Sequence, residues 1–400
     1  MANSLLTIDM ITRKSLEILE NNLVISRNCN RQYDDSFAVQ GAKIGSTLRI
    51  RLPDRALVTD GAALQVQDDN EQYTTLSVAS QKHIGINFTS AELTMQLDDF
   101  AERVLKPRIS QLASSIDADV ATAYKSIYNS VGTPGTTPGT SLVLLQAQQK
   151  MNEFATPMSP RYATVNPAAN AGLVEGMKGL FNPTDTVSRQ FKNGMMGTGV
   201  LGFDEINMSQ SIGMHTTGAW GTTITSTGTL STQGQATLPI SFTGSSKTWK
   251  QGDVFTIAGV YAVNPQTRQS TGSLQQFVVT ADLTASSTGT LSISPAIYTA
   301  GHALATVDSF PQATAVVTML GSASTQYAQN LSYHKDAITL ATADLLLPQG
   351  VDMASRQTHN GISMRIVRQY DINNDRMPCR VDVLYGYAAI RPSMATRIWG

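Results

Sequence analysis

The sequence predicts an α+β fold that carries an inserted all-β domain. A stretch near residues 98–130 repeats its apolar residues at helical spacing. Two stretches within residues 361–400 alternate apolar and polar residues, as strands do. Between them, from about residue 210 to residue 334, Thr, Ser, Gly and Val dominate and charged side chains become rare. We therefore expect an α+β body into which a separate β domain is inserted.

Composition and charge exclude some classes of function. The 400 residues suffice for about two or three domains. With 29 Lys and Arg against 30 Asp and Glu, the net charge is −1, so the chain lacks the basic excess expected of a nucleic-acid or membrane-surface protein. The N-terminal stretch does not resemble a signal peptide, and no apolar run is long enough to cross a bilayer. Cys29 and Cys379 lie far apart without metal-ligand spacing, as expected of reduced thiols in a cytosol.

The N-terminal part of the chain predicts an arm followed by a long hairpin. A helix is expected over residues 7–22, because Ile8, Ile11, Ile18 and Leu19 share one face. A strand at 46–52 then leads into the acidic, polar stretch 53–72. The returning strand has its apolar residues at even positions, on one face: Leu76, Val78, Ile84, Ile86 and Phe88. So long a two-stranded arm is marginal alone in water, and we expect it to lie on another surface.

The longest predicted helix covers residues 98–130. Its apolar residues recur every three to five positions: Phe100, Val104, Ile109, Leu112, Ile116, Val120, Ala123 and Ile127. Pro107 either kinks this helix or marks a fresh start at the first helical position. A Pro/Gly linker follows at 131–140. Two further helices, at 141–155 and 167–181, are expected on either side of a short strand in RYATVNP.

Residues 217–326 predict an antiparallel barrel or sandwich. Short β-rich runs such as DVFTIAGV and LQQFVVTA recur there between turn signals. The residues expected in its core are Trp220, Trp249, Phe255, Ile257, Tyr261, Phe277, Val279, Leu291 and Ile293. We interpret Trp220 and Trp249 as core anchors rather than stacking platforms for sugars or bases.

A β-hairpin is expected near the C-terminus, after the β domain. Two alternating runs are joined by the turn DINNDR. The apolar positions that alternate in the two strands are Ile362, Met364, Ile366 and Tyr370 in the first, and Cys379, Val381, Val383, Tyr385 and Tyr387 in the second.

The stretch GMMGTGVLG contains the spacing of a dinucleotide-binding turn at Gly197, Gly199 and Gly202. That chemistry needs a buried strand before the first glycine and a helix after the last, so that the helix N-terminus faces the pyrophosphate. The preceding SRQFKNGMM is polar and basic, and the residues after Gly202 alternate as a short strand does. We therefore predict a glycine-rich turn between two elements and no bound nucleotide.

Other catalytic and metal-binding signals are missing from the sequence. It contains no G-x-S-x-G elbow, H-E-x-x-H, Walker loop or C-x-x-C. The histidines lack a second His three or four residues on, so solvated or structural roles are expected for His83, His215, His302, His334 and His359. We predict no catalytic residue, no cofactor and no metal site.

Two clusters of charged residues have ordinary explanations. Asp98, Asp99 and Glu102 lie in the first turn of the long predicted helix, where carboxylates offset the positive end of the helix dipole. The second cluster lies at the base of the predicted arm and consists of Arg51, Asp54, Arg55 and Asp60. It fits either a solvated face or ion pairs between molecules, and the sequence does not separate the two.

Four segments carry a resemblance to a known family. They are LDDFAERVLKP at 97–107, GFDEINMS at 202–209, QGDVFTIAGVYAVNPQTRQSTGSLQQFVVT at 251–280 and LYGYAAIRPSMATRI at 384–398. Together with the order of elements, they make the chain similar to tailed-phage major capsid proteins of the Hong Kong 97-type fold. It resembles in particular the coat proteins of short-tailed phages of the P22 type, which carry an inserted β-barrel domain. In such proteins a G-F-D segment leads a strand just before the insertion, which implies a structural role for Gly202-Phe203-Asp204.

The resemblance implies a layout for the whole chain. It comprises an N-terminal arm at 1–45, an extended loop at 46–90, a peripheral domain with a spine helix at 91–140, a central domain at 141–216 and 327–360, an inserted antiparallel β-barrel domain at 217–326, and a returning peripheral β-hairpin with the C-terminus at 361–400.

The resemblance also implies a function, that of a major capsid protein. Such a protein self-assembles into pentamers and hexamers of an icosahedral shell that encloses double-stranded phage DNA. The implied partners are further copies of the chain, a scaffolding protein, a portal protein, a decoration protein, and packaged DNA through weak non-specific contact. The implied location is the virion capsid, assembled in the host cytoplasm. The alternative is a phage tail or surface-layer adhesin that binds a receptor or glycan through the Thr/Ser/Gly-rich domain, although no repeats typical of such proteins are visible.

Overall fold

The computed structural model describes residues 8–31, 47–53, 55–59, 61, 62, 66, 72–88, 105–177, 197–228, 230–372 and 376–400. The chain is a mixed α+β protein, as the sequence predicts. The helices are α1 Ile8–Asn22, α2 Ile25–Asn28, α3 Lys106–Ala121, α4 Ser141–Glu153 and α5 Pro167–Gly176, with short 3-10 helices at Thr122–Ser126, Lys335–Ala337 and Pro392–Met394. Among these described helices, none combines the length and the apolar character needed to cross a membrane.

The strands alternate with these helices at first and then dominate the chain. They are β1 Thr47–Arg51, β2 Tyr73–Ser77, β3 Ser80–Phe88, β4 Ser130–Val131, β5 Arg161–Val165, β6 Gly197–Val200, β7 Phe203–Met208, β8 Met214–Thr216, β9 Thr222–Ser226, β10 Gln235–Thr243, β11 Lys247–Trp249, β12 Val254–Val263, β13 Ser270–Val279, β14 Leu283–Ala285, β15 Thr288–Ile297, β16 Val317–Met319, β17 Gln326–His334, β18 Ile338–Ala343, β19 Met353–His359, β20 Ile362–Arg368, β21 Met377–Ala389 and β22 Ala395–Trp399.

The chain divides into two compact units. Unit 1 comprises Met1–Ile50, Thr74–Ala121 and Ile338–Ala388, and unit 2 comprises Arg51–Tyr73, Thr122–Ala337 and Ala389–Gly400. These boundaries differ from the layout expected for 327–360 and 361–400. The reason is strand pairing: β17 and β22 pair with each other in unit 2, whereas β18 to β21 share a sheet in unit 1. The last residues therefore belong with β17 and not with the hairpin before them.

Unit 1 is built on a sheet with the strand order β18-β21-β20-β19, and β3 also pairs with β21. Helix α1 packs against α3 and β19. The helix predicted at 7–22 is confirmed over Ile8–Asn22, although its most buried apolar residues are Leu16 and Leu19, while Ile11 and Ile18 are half-buried. The predicted C-terminal hairpin is confirmed by the antiparallel pairing of β20 with β21. Tyr370, expected among its inward residues, is 45% exposed because β20 ends at Arg368.

The predicted long arm is shorter than expected. The even-numbered residues Leu76, Val78 and Ile86 are buried, as the alternation predicts, whereas Ile84 is half-buried. However, only β2 pairs with β1 among the described strands, whereas β3 pairs with β21, Ile86 lying opposite Cys379. The interruption between Ser77 and Ser80 divides the returning strand, so its second half belongs to a larger sheet.

The spine helix also differs from its predicted length. Pro107 lies in the first turn of α3, which favours the fresh start over the kink within residues 105–121; Phe100 and Val104 lie outside the described residues. The helix ends at Ala121 rather than near residue 130, and the chain tightens into the 3-10 helix Thr122–Ser126. Ile127 is fully buried beyond that helix, so its apolar character reflects unit 2 packing rather than a continued helical face.

The body of unit 2 is a sheet in the order β4-β22-β17-β5-β7-β6, with β8 also paired to β17. The helices predicted at 141–155 and 167–181 are α4 and α5, and the strand between them is β5; residues 178–181 lie outside the described ranges. Asn166 starts α5, because its Oδ1 accepts the Ala169 amide at 2.7 Å ahead of Pro167 in the first turn. Leu144, Met151 and Leu173 from these helices pack with Phe203 in one buried cluster.

The β-rich block of unit 2 closes on itself. Its strands lie side by side in the order β16-β12-β13-β15-β10-β9, and a bridge between Thr225 and Val316 joins the two outer strands. The two ends of the block also meet, because the Thr217 amide donates to the Thr325 carbonyl at 3.0 Å. Core residues predicted from the sequence are buried here: Trp249, Phe255, Ile257, Phe277, Val279, Leu291 and Ile293. The arrangement is an antiparallel six-stranded sheet whose outer strands meet at this bridge around a core of its own side chains.

Two of the predicted core residues of this block behave differently. Trp220 is half-buried and packs against the core from its side. Tyr261 is 38% exposed. The pairing of β12 with β13 shifts register between Thr256 and Tyr261, where Gly259 has φ 77°. An irregularity of this kind reverses the inward and outward alternation, so Val260 is buried in place of Tyr261.

Candidate assembly surface and buried polar sites

The glycine motif at Gly197–Gly202 forms a β-hairpin. Strands β6 and β7 pair antiparallel with Val200 opposite Phe203, so a strand follows the last glycine where a nucleotide site needs a helix. The two turn residues, Leu201 and Gly202, have φ 54° and 77°, as a type I′ turn requires. A Cβ at Gly202 would lie 2.1 Å from Nε2 of the flexible Gln148 side chain, which can move aside, so the positive φ is the stronger reason for glycine here. The predicted turn leading into a strand is confirmed.

The histidines occupy unrelated places. His83 and His359 are exposed, His302 stacks on the ring of Tyr298, and His215 and His334 are buried. Within the described residues, no group of three or more His, Cys, Asp or Glu side chains could hold a metal ion. Cys29 and Cys379 are both buried free thiols. Burial raises the pKa of the Cys379 thiol to about 12, which leaves it protonated and unreactive at neutral pH.

The two charged clusters identified in the sequence are described only in part. Asp98, Asp99 and Glu102 lie outside the described residues, as do Asp54 and Asp60. Of the second cluster, Arg51 is exposed and Arg55 is half-buried.

A buried polar site of unit 2 joins the β-rich block to the body. His215, on β8, lies between two partners: its Nδ1 is 3.1 Å from Tyr124 Oη and its Nε2 is 2.9 Å from Asp253 Oδ1. Asp253 is 1% exposed, and its Oδ2 accepts the amides of Gly218 at 3.1 Å and Lys250 at 2.8 Å. An Asp–His–Tyr chain of this kind can relay a proton in an enzyme. Because the Asp and His are almost completely enclosed, this one is suited to holding the β11–β12 turn against the body.

Arg397 completes this joint from β22. Its side chain is fully buried, with Nε donating to the Ile127 carbonyl at 2.8 Å and Nη1 to the Gly252 carbonyl at 2.7 Å. The guanidinium also lies over the ring of Tyr124, 5.3 Å from its centroid. Burial lowers the pKa of Arg397 to about 9, an effect that Tyr124 and Asp253 oppose. One side chain on β22 thus links Ile127, which follows the 3-10 helix Thr122–Ser126, to Gly252 of the β-rich block.

A comparable joint in unit 1 ties the arm to the spine helix. Asp117, on α3, is 1% exposed. Its Oδ2 accepts the Val24 amide at 2.6 Å, and its Oδ1 accepts both the amide and the hydroxyl of Ser26. Burial raises the pKa of this carboxyl, and the hydrogen bonds from Ser26 and Val24 oppose the rise. The carboxylate therefore accepts amides at the start of α2, which the backbone of α2 itself leaves unpaired.

The segment between β1 and β2 presents apolar side chains to solvent. The Leu52 amide donates to the Gln72 carbonyl at 2.8 Å, which closes the base of this segment. Beyond the base, Val58 is 93% exposed and Val66 is 85% exposed. Beside the base lies a cavity of about 450 Å³, lined in part by Pro53, Arg55, Pro265, Gln266 and Leu304. This segment, which we call the extended segment (residues 52–72), is the candidate surface for contact with another molecule.

Sequence patterns do not reveal these joints. His215 and Asp253 are 38 positions apart, and Arg397 is 145 positions from Gly252. No local spacing connects residues so distant, and each is a single polar residue within an apolar or turn-rich stretch. The sequence does indicate the extended segment, because residues 53–72 form a mostly polar stretch without a core of its own, and Val58 and Val66 lie within it.

One family model and several known proteins are similar to this chain. A family model described as P22 coat protein, gene protein 5, matches residues 1–400. The chain is 22% identical over 338 residues to the major capsid protein of Acyrthosiphon pisum secondary endosymbiont phage 1, with 79% of each chain covered. A structure from Mycobacterium phage Che8 is similar with a TM-score of 0.47 and 12% identity, over 94% of this chain and 90% of that one. The capsid structure of the Cyanophage P-SCSP1u gives a TM-score of 0.43 and 11% identity, over 90% and 85%.

Proposed function

The chain belongs to the P22 coat protein family, and on this premise we propose that it is the major capsid protein that forms an icosahedral shell around double-stranded phage DNA. The observation that carries the proposal is the extent of the family match, which runs over all 400 residues and so includes the extended segment and the β-rich block alike.

The exposed side chains of the extended segment support assembly with further copies. Val58 and Val66 present almost their whole side chains to water, and such residues gain free energy when a neighbouring surface covers them. The net charge of −1 also suits a shell, because many copies can pack side by side without strong mutual repulsion. Pentamers and hexamers of the chain are the units we expect.

Other partners follow from the same proposal. A scaffolding protein would template a precursor shell that later matures, a portal protein would occupy one vertex, and a decoration protein would bind the outside. Packaged DNA would touch the shell weakly and without sequence preference, since the chain has no basic excess. Assembly would take place in the bacterial cytoplasm, and the mature location would be the virion capsid.

Neither rival function is favoured by a specific observation. A receptor- or glycan-binding adhesin would use residues 217–326 for recognition, but the aromatic residues Trp249, Phe255 and Phe277 are buried in the core of that block. The family match also runs through it. For an enzyme, Tyr124 and His215 line a cavity of about 550 Å³, but His215 and Asp253 are buried and their hydrogen bond joins the β-rich block to the body. We therefore infer a structural role without catalysis.

Self-assembly is directly testable. The chain co-expressed with its scaffolding protein should sediment as closed shells that electron microscopy shows to be icosahedral. Expression of each protein alone provides the controls, and spirals or irregular shells from the chain alone would agree with the proposal. A chain that stays strictly monomeric or dimeric beside its scaffolding protein would refute it.

A further inference from the structure

One turn of the β-rich block contacts both the body of unit 2 and the extended segment. This turn joins β12 to β13 and covers residues 264–269. Asn264 shapes it: its Oδ1 accepts the amides of Gln266 at 2.8 Å and Thr267 at 3.0 Å. The same side chain fastens the turn to the body, because its Nδ2 donates to the Glu153 carbonyl at the end of α4, at 2.8 Å. The turn is therefore fixed before it reaches the extended segment.

Arg268 makes the contact with the extended segment. Its Nη1 donates to the His302 carbonyl at 2.8 Å, and its Nη2 donates to the carbonyls of Ala303 at 3.0 Å and Ala56 at 2.9 Å. The first two acceptors belong to the β-rich block, and Ala56 belongs to the extended segment. A planar guanidinium with its donors in a fixed fork can serve three separate carbonyls, which an ammonium group serves poorly.

The backbone at Arg268 is held in an unfavourable conformation. Its φ is 57°, in the left-handed region that glycine and asparagine adopt more readily than arginine. Surrounding contacts must fix the backbone in this region, and here the hydrogen bonds of Asn264 and of the Arg268 guanidinium do so. Here the left-handed turn directs the guanidinium towards the three carbonyls.

The extended segment lies beside a hollow at this point. The cavity of about 450 Å³ has Pro53 and Arg55 of the segment on one side and Pro265, Gln266 and Leu304 of the block on the other. Close apolar packing is therefore incomplete between the base of the segment and the block. The orientation of residues 55–59 depends correspondingly more on polar contacts such as the one from Arg268.

We propose that Arg268 is a positioning residue that holds the extended segment in the orientation needed to meet a neighbouring copy. The contact between copies rests on the proposed function, whereas the contact between Arg268 and Ala56 is within one chain. Through this residue the β-rich block sets the geometry of an assembly contact made by another part of the same subunit.

The test uses the full-length chain with Arg268→Gly. Glycine suits a φ of 57°, so the turn keeps its backbone while the guanidinium is lost. Ser246→Gly is the matched control, because Ser246 has φ 51° in another turn of the same block. Trypsin cleavage after Arg55 and amide exchange of residues 55–59 should accelerate about ten- to hundredfold in Arg268→Gly, as expected for loss of a hydrogen bond from a charged donor. The control should match the wild type.

Assembly provides the second readout. Arg268→Gly with the scaffolding protein should give misshapen or wrongly sized shells, while Ser246→Gly gives normal ones. Arg268→Lys, which keeps the charge, should show an intermediate effect in both measurements and serves if the glycine variant is insoluble. Wild-type cleavage rates in both Arg268 variants, or normal shells from a variant with a freed segment, would overturn the proposal. If the wild type forms no shells, the proposed function fails, while the cleavage rates still decide whether Arg268 anchors the segment.

Discussion

Three buried carboxylates of this protein each accept hydrogen bonds from more than one donor. Asp382 is fully buried and accepts Arg365 Nη2 at 2.7 Å and Arg380 Nε at 2.6 Å. Asp117 and Asp253 likewise accept backbone amides within their own units. Because desolvation of an ion is costly, removing one partner harms such a site far more than the pair contributes over an apolar alternative. At the scale of single residues, these sites fix which segments lie together and add little net stability.

His334 provides a pH-dependent contribution to stability. It is 4% exposed on β17, and its Nδ1 accepts the Asp336 amide at 3.2 Å, which requires that nitrogen to be unprotonated. Burial lowers the pKa of His334, and the charges of Arg161 and Arg391 lower it further, while Asp336 opposes them. The unfolded chain takes up a proton near pH 6.5, before the folded one does. The contribution of neutral His334 to the free energy of unfolding is therefore fully present above about pH 6.5. It is lost as the pH falls towards the pKa of His334 in the folded protein, which lies below the unfolded value.

We expect His334→Asn to reduce this pH dependence, because the amide oxygen of Asn replaces Nδ1 as an acceptor without titrating. The measurement is the free energy of unfolding of the soluble subunit in urea at pH 7.5, 6.5 and 5.5. Tryptophan fluorescence reports on unit 2, which contains all three tryptophans of the chain. His83→Asn, at an exposed histidine of unit 1, is the control and should leave the slope unchanged. An equal slope in the wild type and His334→Asn would contradict the assignment.

At the scale of elements, the periodicity of apolar residues predicted the helices and strands wherever the packing contacts of an element agree with that periodicity. The helix at Ile8–Asn22 and the hairpin of β20 and β21 are examples. Predictions failed where a distant contact or an irregularity overrides the pattern. The irregularity near Gly259 turns Tyr261 outward, and the spine helix ends at Ala121, ahead of Ile127, which is buried in unit 2. The spacing of apolar residues predicts neither of these two features.

The self-contained β-rich block predicts that residues 217–326 fold alone. The ends of the block meet at Thr217 and Thr325, and its core is filled by its own residues. The excised segment should be monomeric, with wide amide dispersion in nuclear magnetic resonance spectra and cooperative thermal unfolding. Phe255→Ala should cost about 3 to 5 kcal/mol, because the ring is fully buried and stacks on Phe277.

Tyr261→Ala is the matched control for this block, since Tyr261 lies on the same strand but is 38% exposed. Its cost should be about 1 kcal/mol or less. Equal costs for the two variants would show that the register of β12 differs from the one described. Narrow, random-coil amide dispersion of the excised segment would show that the block depends on the rest of the chain.

At the scale of the whole molecule, the sequence predicts the fold class better than it predicts the individual contact sites. Fold class follows from many residues at once, so single exceptions such as Tyr370 do not change it. The anchor at Arg268 and the joint at His215 depend on one side chain each, brought to its partner by the complete fold. The extended segment is predicted in part. The sequence shows a polar stretch bounded by strands, but it does not show which residues that stretch contacts.

The extended segment predicts a separation between folding and assembly. Deleting residues 54–71 should leave the subunit folded, because Val58 and Val66 contribute almost no buried surface to the subunit. The same deletion should block or deform shell assembly, since it removes the surface that we expect neighbouring copies to cover. Circular dichroism and thermal unfolding of the soluble subunit measure the first effect, and sedimentation with the scaffolding protein measures the second.

A double variant sharpens this prediction, because a deletion also removes backbone. Val58→Ser with Val66→Ser takes away only two exposed apolar side chains, so the subunit should unfold at the wild-type temperature while shells form more slowly or less completely. Thr59→Ser, at an exposed residue of the same segment, is the control and should assemble normally. Normal shells from the double variant would mean that neighbours do not cover these valines. Loss of the circular-dichroism spectrum in the deletion variant would instead place the segment in the core of the subunit, against the exposure of both valines.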